Sequence, residues 1–187
     1  MNERILYRFT TECSRRFFLP LLAVEESRGI QMATEGNVKQ GGVQPVELYR
    51  FEGTDVWQEG DEHARVRGYF PLTPGMPNAS EVAGEELMIV SIEIEPGNYL
   101  PTHRDSNEEL LLVTDGTVAA TVGEETVELS SGQCAIVPEM EPHGIRNDGD
   151  ETARIIGFFP NDELTATFDE TLMPFDSTVL TIGGQTE

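Results

Sequence analysis

Short apolar runs separated by turn residues dominate the chain from Pro45 onward. Runs of four to eight residues that are rich in β-branched and aromatic side chains indicate strands, and pairs such as Asp115-Gly116 and Ser131-Gly132 indicate the turns between them. The predicted strands are 46–51, 66–72, Leu87–Ile94, 110–113, 118–122, 126–129, Cys134–Val137 and 153–159. Strands at this spacing, with weak helical periodicity throughout, predict an all-β sandwich or barrel.

The chain has 187 residues, which suffices for one domain with a core and is short for two. We assign residues 1–44 to an N-terminal extension, 45–160 to the barrel and 161–187 to a C-terminal tail. The tail contains one more predicted strand, 177–182, which closes an edge of the sheet or pairs with a second copy in a homodimer. No run of 18 apolar residues is present, so we expect no membrane span.

The first 31 residues differ in charge from the rest of the chain. They carry five arginines and four glutamates, a net charge of +1, against −23 for the remainder. Arg15-Arg16-Phe17-Phe18-Leu19 resembles a twin-arginine export signal, but the apolar stretch that follows ends at Val24 and has no clear cleavage site. A leader upstream of a true start at Met32, or a loosely attached segment, explains the charge step better, and we expect a cytoplasmic protein.

The net charge of the whole chain is −22, from 34 acidic and 12 basic residues. A protein that binds nucleic acid by neutralising phosphates is excluded by this balance. The charge serves either a cationic partner or folding in concentrated salt, where self-repulsion is screened. The acidic residues are dispersed along the chain rather than gathered in one block, which favours salt adaptation and resembles the proteins of halophiles.

Two of the three histidines, His103 and His143, have similar neighbours in the sequence, because each lies close to a proline and to an acidic residue. His103 and Asp105 are two residues apart, so on a strand they share a face, and Glu109 can rejoin that face after a short turn. His143 follows Glu141-Pro142. Two imidazoles and two carboxylates that converge on one interior are costly to bury unless they are paired, protonated or bound to a metal. The pattern therefore predicts a metal site.

The spacing of these residues resembles the two motifs of the cupin superfamily. The first motif matches at Gly97, His103, Asp105, Glu109 and Gly116, and the second at Gly132, Pro138, Met140, His143 and Asn147. The resemblance implies a jelly-roll barrel, also called a double-stranded β-helix. It also implies one divalent metal (iron, manganese, nickel, copper or zinc) held by His103, Asp105, Glu109 and His143.

Two positions depart from the cupin pattern. Asp105 stands where the family has a second histidine, and its oxygen favours Fe(II) or Mn(II) over copper, binding directly or, because aspartate is short, through water. Met140 stands where the family has a glycine near the pocket mouth, as a hydrophobic plug or as a substrate contact.

These residues favour a mononuclear metalloenzyme of the dioxygenase type that acts on a small organic molecule. Glu109 would be both a ligand and the catalytic base. The superfamily also includes isomerases, decarboxylases and non-catalytic ligand-binding or sensing barrels, so a binding module is the rival interpretation.

A second interpretation uses His103, Asp105 and His143 as the facial triad of a 2-oxoglutarate-dependent Fe(II) oxygenase, with Arg154 as the carboxylate-binding arginine. It leaves Glu109 and the glycine and proline spacings unexplained. We expect Arg154 to lie on the exposed face of a closing strand, Arg104 to point outward, Arg146 to pair with a surface acid, and His63 to lie at the surface.

The charge predicts that stability rises with salt. Screening relieves self-repulsion more in the compact chain than in the expanded chain. The thermal midpoint should therefore be higher at about 3 M KCl than at about 0.1 M KCl, where the Debye length is about 10 Å. An equal or lower midpoint at 3 M KCl would refute salt adaptation.

Overall fold

The computed structural model describes residues 45–49, 52–73, 76, 79–80 and 82–184, and these residues form strands and turns without a helix. The twelve strands are β1 (Thr54–Gln58), β2 (Asp61–Tyr69), β3 (Leu87–Ile94), β4 (Tyr99–Asp105), β5 (Glu109–Asp115), β6 (Thr117–Val122), β7 (Glu125–Ser130), β8 (Cys134–Val137), β9 (His143–Arg146), β10 (Ala153–Pro160), β11 (Glu163–Met173) and β12 (Ser177–Gly183). No helix in this part of the chain could cross a membrane. The predicted extension, 1–44, with Met32 in it, lies outside the described residues.

All strand pairs are antiparallel and belong to one continuous sheet. The order of the strands is β7-β6-β9-β4-β11-β1-β2-β3-β10-β5-β8, with β12 paired to β11. Strand β4 lies between β9 and β11, and β10 lies between β3 and β5. Because most strands contribute to one buried apolar cluster, the sheet curls around a common interior. The all-β fold that the strand pattern predicts is confirmed, and so is the jelly-roll barrel that the cupin resemblance implies.

The predicted strands agree best where apolar residues dominate. Strands β3 and β8 begin and end at the predicted residues, and β5, β6, β7 and β10 differ by one or two residues at their ends. A strand was predicted at 46–51, but the described part of that range, 46–49, is not a strand. The first strand, β1, begins later, at Thr54. Strands β1, β9 and β11 were missed because they are short, polar or rich in threonine, so their apolar alternation is weak.

The residues assigned to the C-terminal tail contain two strands of the sheet. Strand β11 pairs with both β1 and β4, and Phe168 lies opposite His103 in that pairing. Strand β12 confirms the predicted strand at 177–182, and it pairs with β11 of the same chain. The sheet of the barrel therefore continues beyond residue 160.

Apolar side chains from nearly every strand meet inside the barrel. One cluster includes Ile94, Leu111, Val113 and Ile155, each at most 1% exposed. A second cluster, around Phe70, Met88 and Phe159, lies under β12. Fully burying one such side chain stabilises the fold by roughly 1.5–3 kcal/mol, which lets the interior carry a few polar groups.

Candidate metal centre

A β-bulge in β4 decides which side chains of that strand enter the barrel. The register of β4 against β9 is Leu100↔Ile145 and then His103↔His143, so β4 has one extra residue between these pairs. Leu100 faces the interior, and strict alternation would place Thr102 and Arg104 inside. The extra residue shifts the alternation by one, so His103 and Asp105 are buried while Thr102 is exposed.

The four residues predicted to share an interior face meet in one place. The Nε2 atom of His143 lies 3.4 Å from Oδ2 of Asp105 and 3.3 Å from Oε2 of Glu109. The Nε2 atom of His103 lies 3.7 Å from Oδ2 of Asp105, and all four side chains are at most 7% exposed. Ligand atoms of His103, Asp105 and His143 lie within 4.8 Å of one another.

Backbone carbonyls fix the orientation of both imidazoles. Nδ1 of His103 lies 2.9 Å from the carbonyl oxygen of Pro101, and Nδ1 of His143 lies 3.0 Å from that of Glu141. A carbonyl only accepts hydrogen bonds, so each Nδ1 carries a proton and donates it. In the neutral ring, each Nε2 then keeps its lone pair, and each lies 3.3–3.7 Å from a carboxylate oxygen of Asp105 or Glu109, as in metal-binding histidines.

The electrostatics of the cluster require a positive charge within it. Burial, together with the charge of His143, lowers the pKa of His103 to about 4. Burial raises the pKa of Glu109. For His143, burial lowers the pKa, but contacts with the Asp105 and Glu109 carboxylates outweigh burial and raise the pKa to about 10. The two carboxylates thus favour a positive charge at or beside His143.

A divalent cation satisfies this cluster better than a proton does. Nε2 of His143 and Oδ1 of Asp105 are buried and have no hydrogen-bond partner. Ligand atoms that share one ion at about 2.0–2.2 Å lie about 3.0–3.5 Å apart, close to the separations between His143, Asp105 and Glu109. Two imidazoles and two carboxylates are also a common ligand set for divalent metals. The residues therefore fit a divalent metal ion.

The cluster forms the polar part of a cavity of about 70 Å³. That volume exceeds the roughly 10–15 Å³ that a cavity needs in order to admit one water molecule. Side chains of Val66, Phe70, Val90 and Leu164 are among the apolar walls. The cavity can therefore hold a small molecule next to the four polar groups.

The other residues singled out from the sequence lie outside this cavity. Arg154 pairs with Glu93 at 2.9 Å on the outer face of β10, so it is not placed to bind a carboxylate beside the histidines. Arg104 pairs with Asp169, Arg146 pairs with Asp148, and His63 is exposed, all as predicted.

Met140 does not plug the cavity. Its side chain is 51% exposed and is not among the residues that line the cavity, so the predicted hydrophobic plug is wrong, while the substrate contact stays a prediction. Its φ of 61° is in the left-handed region, which explains why the cupin motif has a glycine at this position.

Three residues that support the site were not identified from the sequence. Gly157 on β10 leaves the space occupied by the Glu109 carboxylate, and Gly144 on β9 faces the bulge, where a Cβ atom would lie 3.1 Å from the carbonyl oxygen of Leu100. The ring of Phe168 stacks on His103, with centroids 4.9 Å apart and 14° between the planes. Only the pairing of β11 with β4 and of β10 with β5 reveals these contacts.

Comparisons with known proteins agree with the fold. Residues 90–159 match the family model described as the cupin domain, a range that contains all four residues of the cluster. No curated protein matches the sequence. The match and the barrel support the cupin superfamily for this chain, and the barrel is a cupin-type jelly roll.

Two solved structures illustrate the likeness. The polyketide cyclase RemF from Streptomyces resistomycificus is 17% identical with a TM-score of 0.52, over 64% of this chain and 80% of that one. A predicted oxalate decarboxylase from Thermotoga maritima is 15% identical with a TM-score of 0.52, over 63% of this chain and 99% of that one. At these identities the likeness concerns the fold alone.

The close contact between β10 and Glu109 predicts that Gly157→Ala destabilises the protein. A Cβ atom would overlap Oε1 of Glu109 and lie 2.9 Å from Cε2 of Phe159. Overpacking of this kind costs about 1–3 kcal/mol, measurable by urea unfolding of the metal-free protein. The cost should fall in a Glu109→Ala background, because the carboxylate is gone. An equal cost in both backgrounds would contradict the contact.

Proposed function

We propose that this protein is a mononuclear metalloenzyme in which His103, Asp105 and His143 hold one divalent metal ion and Glu109 completes the site. The observation that carries the proposal is the placement of both Nε2 atoms 3.3–3.7 Å from buried carboxylate oxygens, while each Nδ1 is held by a backbone carbonyl. Two nitrogen and two oxygen ligands favour Fe(II) or Mn(II), and zinc, nickel or copper would fit less well.

We propose a dioxygenase-type oxidation of a small organic molecule as the reaction. Fe(II) in such a site, when bound, binds and activates oxygen and substrate together. Glu109 pairs with one of the two histidines, His143, whereas Asp105 pairs with both. Glu109 is therefore the carboxylate best placed to take a proton from the substrate, and its raised pKa suits a proton acceptor. Asp105 and the histidines hold the metal.

A non-catalytic small-ligand barrel is the second candidate. The small cavity with apolar walls supports it, because such a cavity binds a ligand without requiring turnover. A 2-oxoglutarate-dependent oxygenase is less favoured, since Arg154 lies on the outer face with Glu93.

The metal proposal predicts different outcomes for two histidine substitutions. His143→Ala removes a buried ligand and should lower metal affinity by more than the 10–100-fold that loss of an outer-shell contact costs. His63→Ala is the matched control, because His63 is exposed outside the barrel. Elemental analysis after anaerobic loading with Fe(II) and removal of free metal gives the occupancy. Equal occupancy in both variants, with unchanged circular dichroism, would refute this site.

The reaction proposal predicts that Glu109→Gln lowers turnover more than metal content. The amide keeps an oxygen for the metal but does not accept a proton, so turnover should fall about 10²–10⁴-fold while occupancy changes little. Oxygen uptake by the Fe(II) protein would be measured with a panel of small molecules that carry two adjacent oxygen atoms. A protein that holds Fe(II) and binds these molecules without oxygen uptake would favour the binding barrel.

A further inference from the structure

Among the described residues that line the cavity, only the four of the cluster are polar. The fifteen other residues that line it are apolar or glycine: Val56, Val66, Gly68, Phe70, Val90, Ile92, Leu100, Ile145, Phe159, Leu164, Ala166, Phe168, Leu172, Leu180 and Ile182. None of these side chains donates or accepts a hydrogen bond. A ligand in the cavity therefore meets polar partners at one end and hydrocarbon along the rest of its surface.

No arginine or lysine among the described residues reaches the cavity. Four of the five described arginines pair with acids on the outside, namely Arg67 with Asp55, Arg104 with Asp169, Arg146 with Asp148 and Arg154 with Glu93. The fifth, Arg65, lies over the ring of Trp57. The described residues that line the cavity therefore include no arginine or lysine that could bind an anionic ligand.

The charge of the site limits the charge of its ligand. Asp105 and Glu109 together balance one divalent ion when the two imidazoles are neutral, so the loaded site is uncharged. A ligand with two negative charges would bury both of those charges next to hydrocarbon, without a positive charge to balance them. Burying unbalanced charges in this way costs much free energy. A polyhydroxylated ligand would lose its hydrogen bonds to water without replacement along the apolar walls.

We propose that the site binds an uncharged or singly charged small molecule with two adjacent oxygen atoms at one end and an apolar body. The oxygens face the metal and the four polar residues, and the body lies against Phe70, Val90 and Leu164. With His103, Asp105 and His143 as ligands and Glu109 as the base, an octahedral ion would keep three open positions, enough for two adjacent ligand oxygens and for O2. Dicarboxylates, phosphate esters and sugars are excluded. This inference rests on the proposed metal site.

Alkyl hydroxamates test the inference because they keep one two-oxygen head group while the apolar body grows. The full chain loaded with Mn(II) would be titrated by calorimetry with acetohydroxamate, butyrohydroxamate and hexanohydroxamate, and with oxalate as the dianion. We expect affinity to rise about fourfold for each methylene until the cavity is filled, the factor that corresponds to the ~0.8 kcal/mol of burying one CH₂. Oxalate should show no binding at concentrations where butyrohydroxamate saturates the protein.

A matched pair of isosteric substitutions locates the binding site of the alkyl chain. Val90→Thr places a hydroxyl in the cavity wall, whereas Val127→Thr makes the same change at a side chain 48% exposed on β7. Val90→Thr should weaken butyrohydroxamate binding several-fold and leave acetohydroxamate binding and Mn(II) content unchanged. Val127→Thr should change none of these.

The outcomes separate the ligand class from the metal site. Mn(II) uptake with affinities independent of alkyl length, or with oxalate as the tightest ligand, would overturn the ligand class and leave the metal site standing. No Mn(II) uptake by the wild-type chain would overturn both. The alkyl series on the wild-type chain decides the question even if Val90→Thr fails to fold.

Discussion

The pairing of β4 with β9 determines what the interior of this barrel contains. His103 lies opposite His143 only because β4 has an extra residue after Leu100, and Gly144 on β9 leaves room for the backbone at that point. A strand that slips by one residue turns every side chain to the opposite face. Without the bulge, Thr102 and Arg104 would face the cavity and His103 and Asp105 would face solvent. The bulge also brings the Pro101 carbonyl within hydrogen-bond distance of His103 Nδ1.

Burial of the polar cluster destabilises the fold, whereas burial of the apolar walls stabilises it. Buried carboxylates and imidazoles cost free energy unless a positive charge offsets them, and two atoms of this cluster have no hydrogen-bond partner among the described residues. The apolar clusters around the cavity supply the stabilisation that offsets this cost. A bound divalent ion would convert a destabilising cluster into a stabilising one, because ions that bind only the folded chain shift the unfolding equilibrium. The same apolar walls limit which ligands can reach the ion.

Much of the site could be predicted from the sequence, partly from the two-residue period of strands and partly from the cupin resemblance, which supplied His143 and the full set of four residues. His103, Asp105 and Glu109 are separated by even numbers of residues, and each faces the cavity. The supporting residues could not be predicted in this way. Gly157 and Phe168 act on the site through strands that are distant in sequence, and their role depends on sheet order rather than on local pattern. Strand β11 was missed because its threonines weaken the apolar alternation. The cavity wall draws on most of the strands, so its uniformly apolar character emerges only when the barrel closes.

The central claim is that one metal ion sits between the Nε2 atoms of His103 and His143 and the Asp105 carboxylate. The most direct measurement is anomalous diffraction at the absorption edge of manganese from crystals of the Mn(II)-loaded protein. The account predicts a single strong peak within bonding distance of both Nε2 atoms and of a carboxylate oxygen. A peak located elsewhere, or none at this cluster in a crystal that contains manganese, would contradict the account.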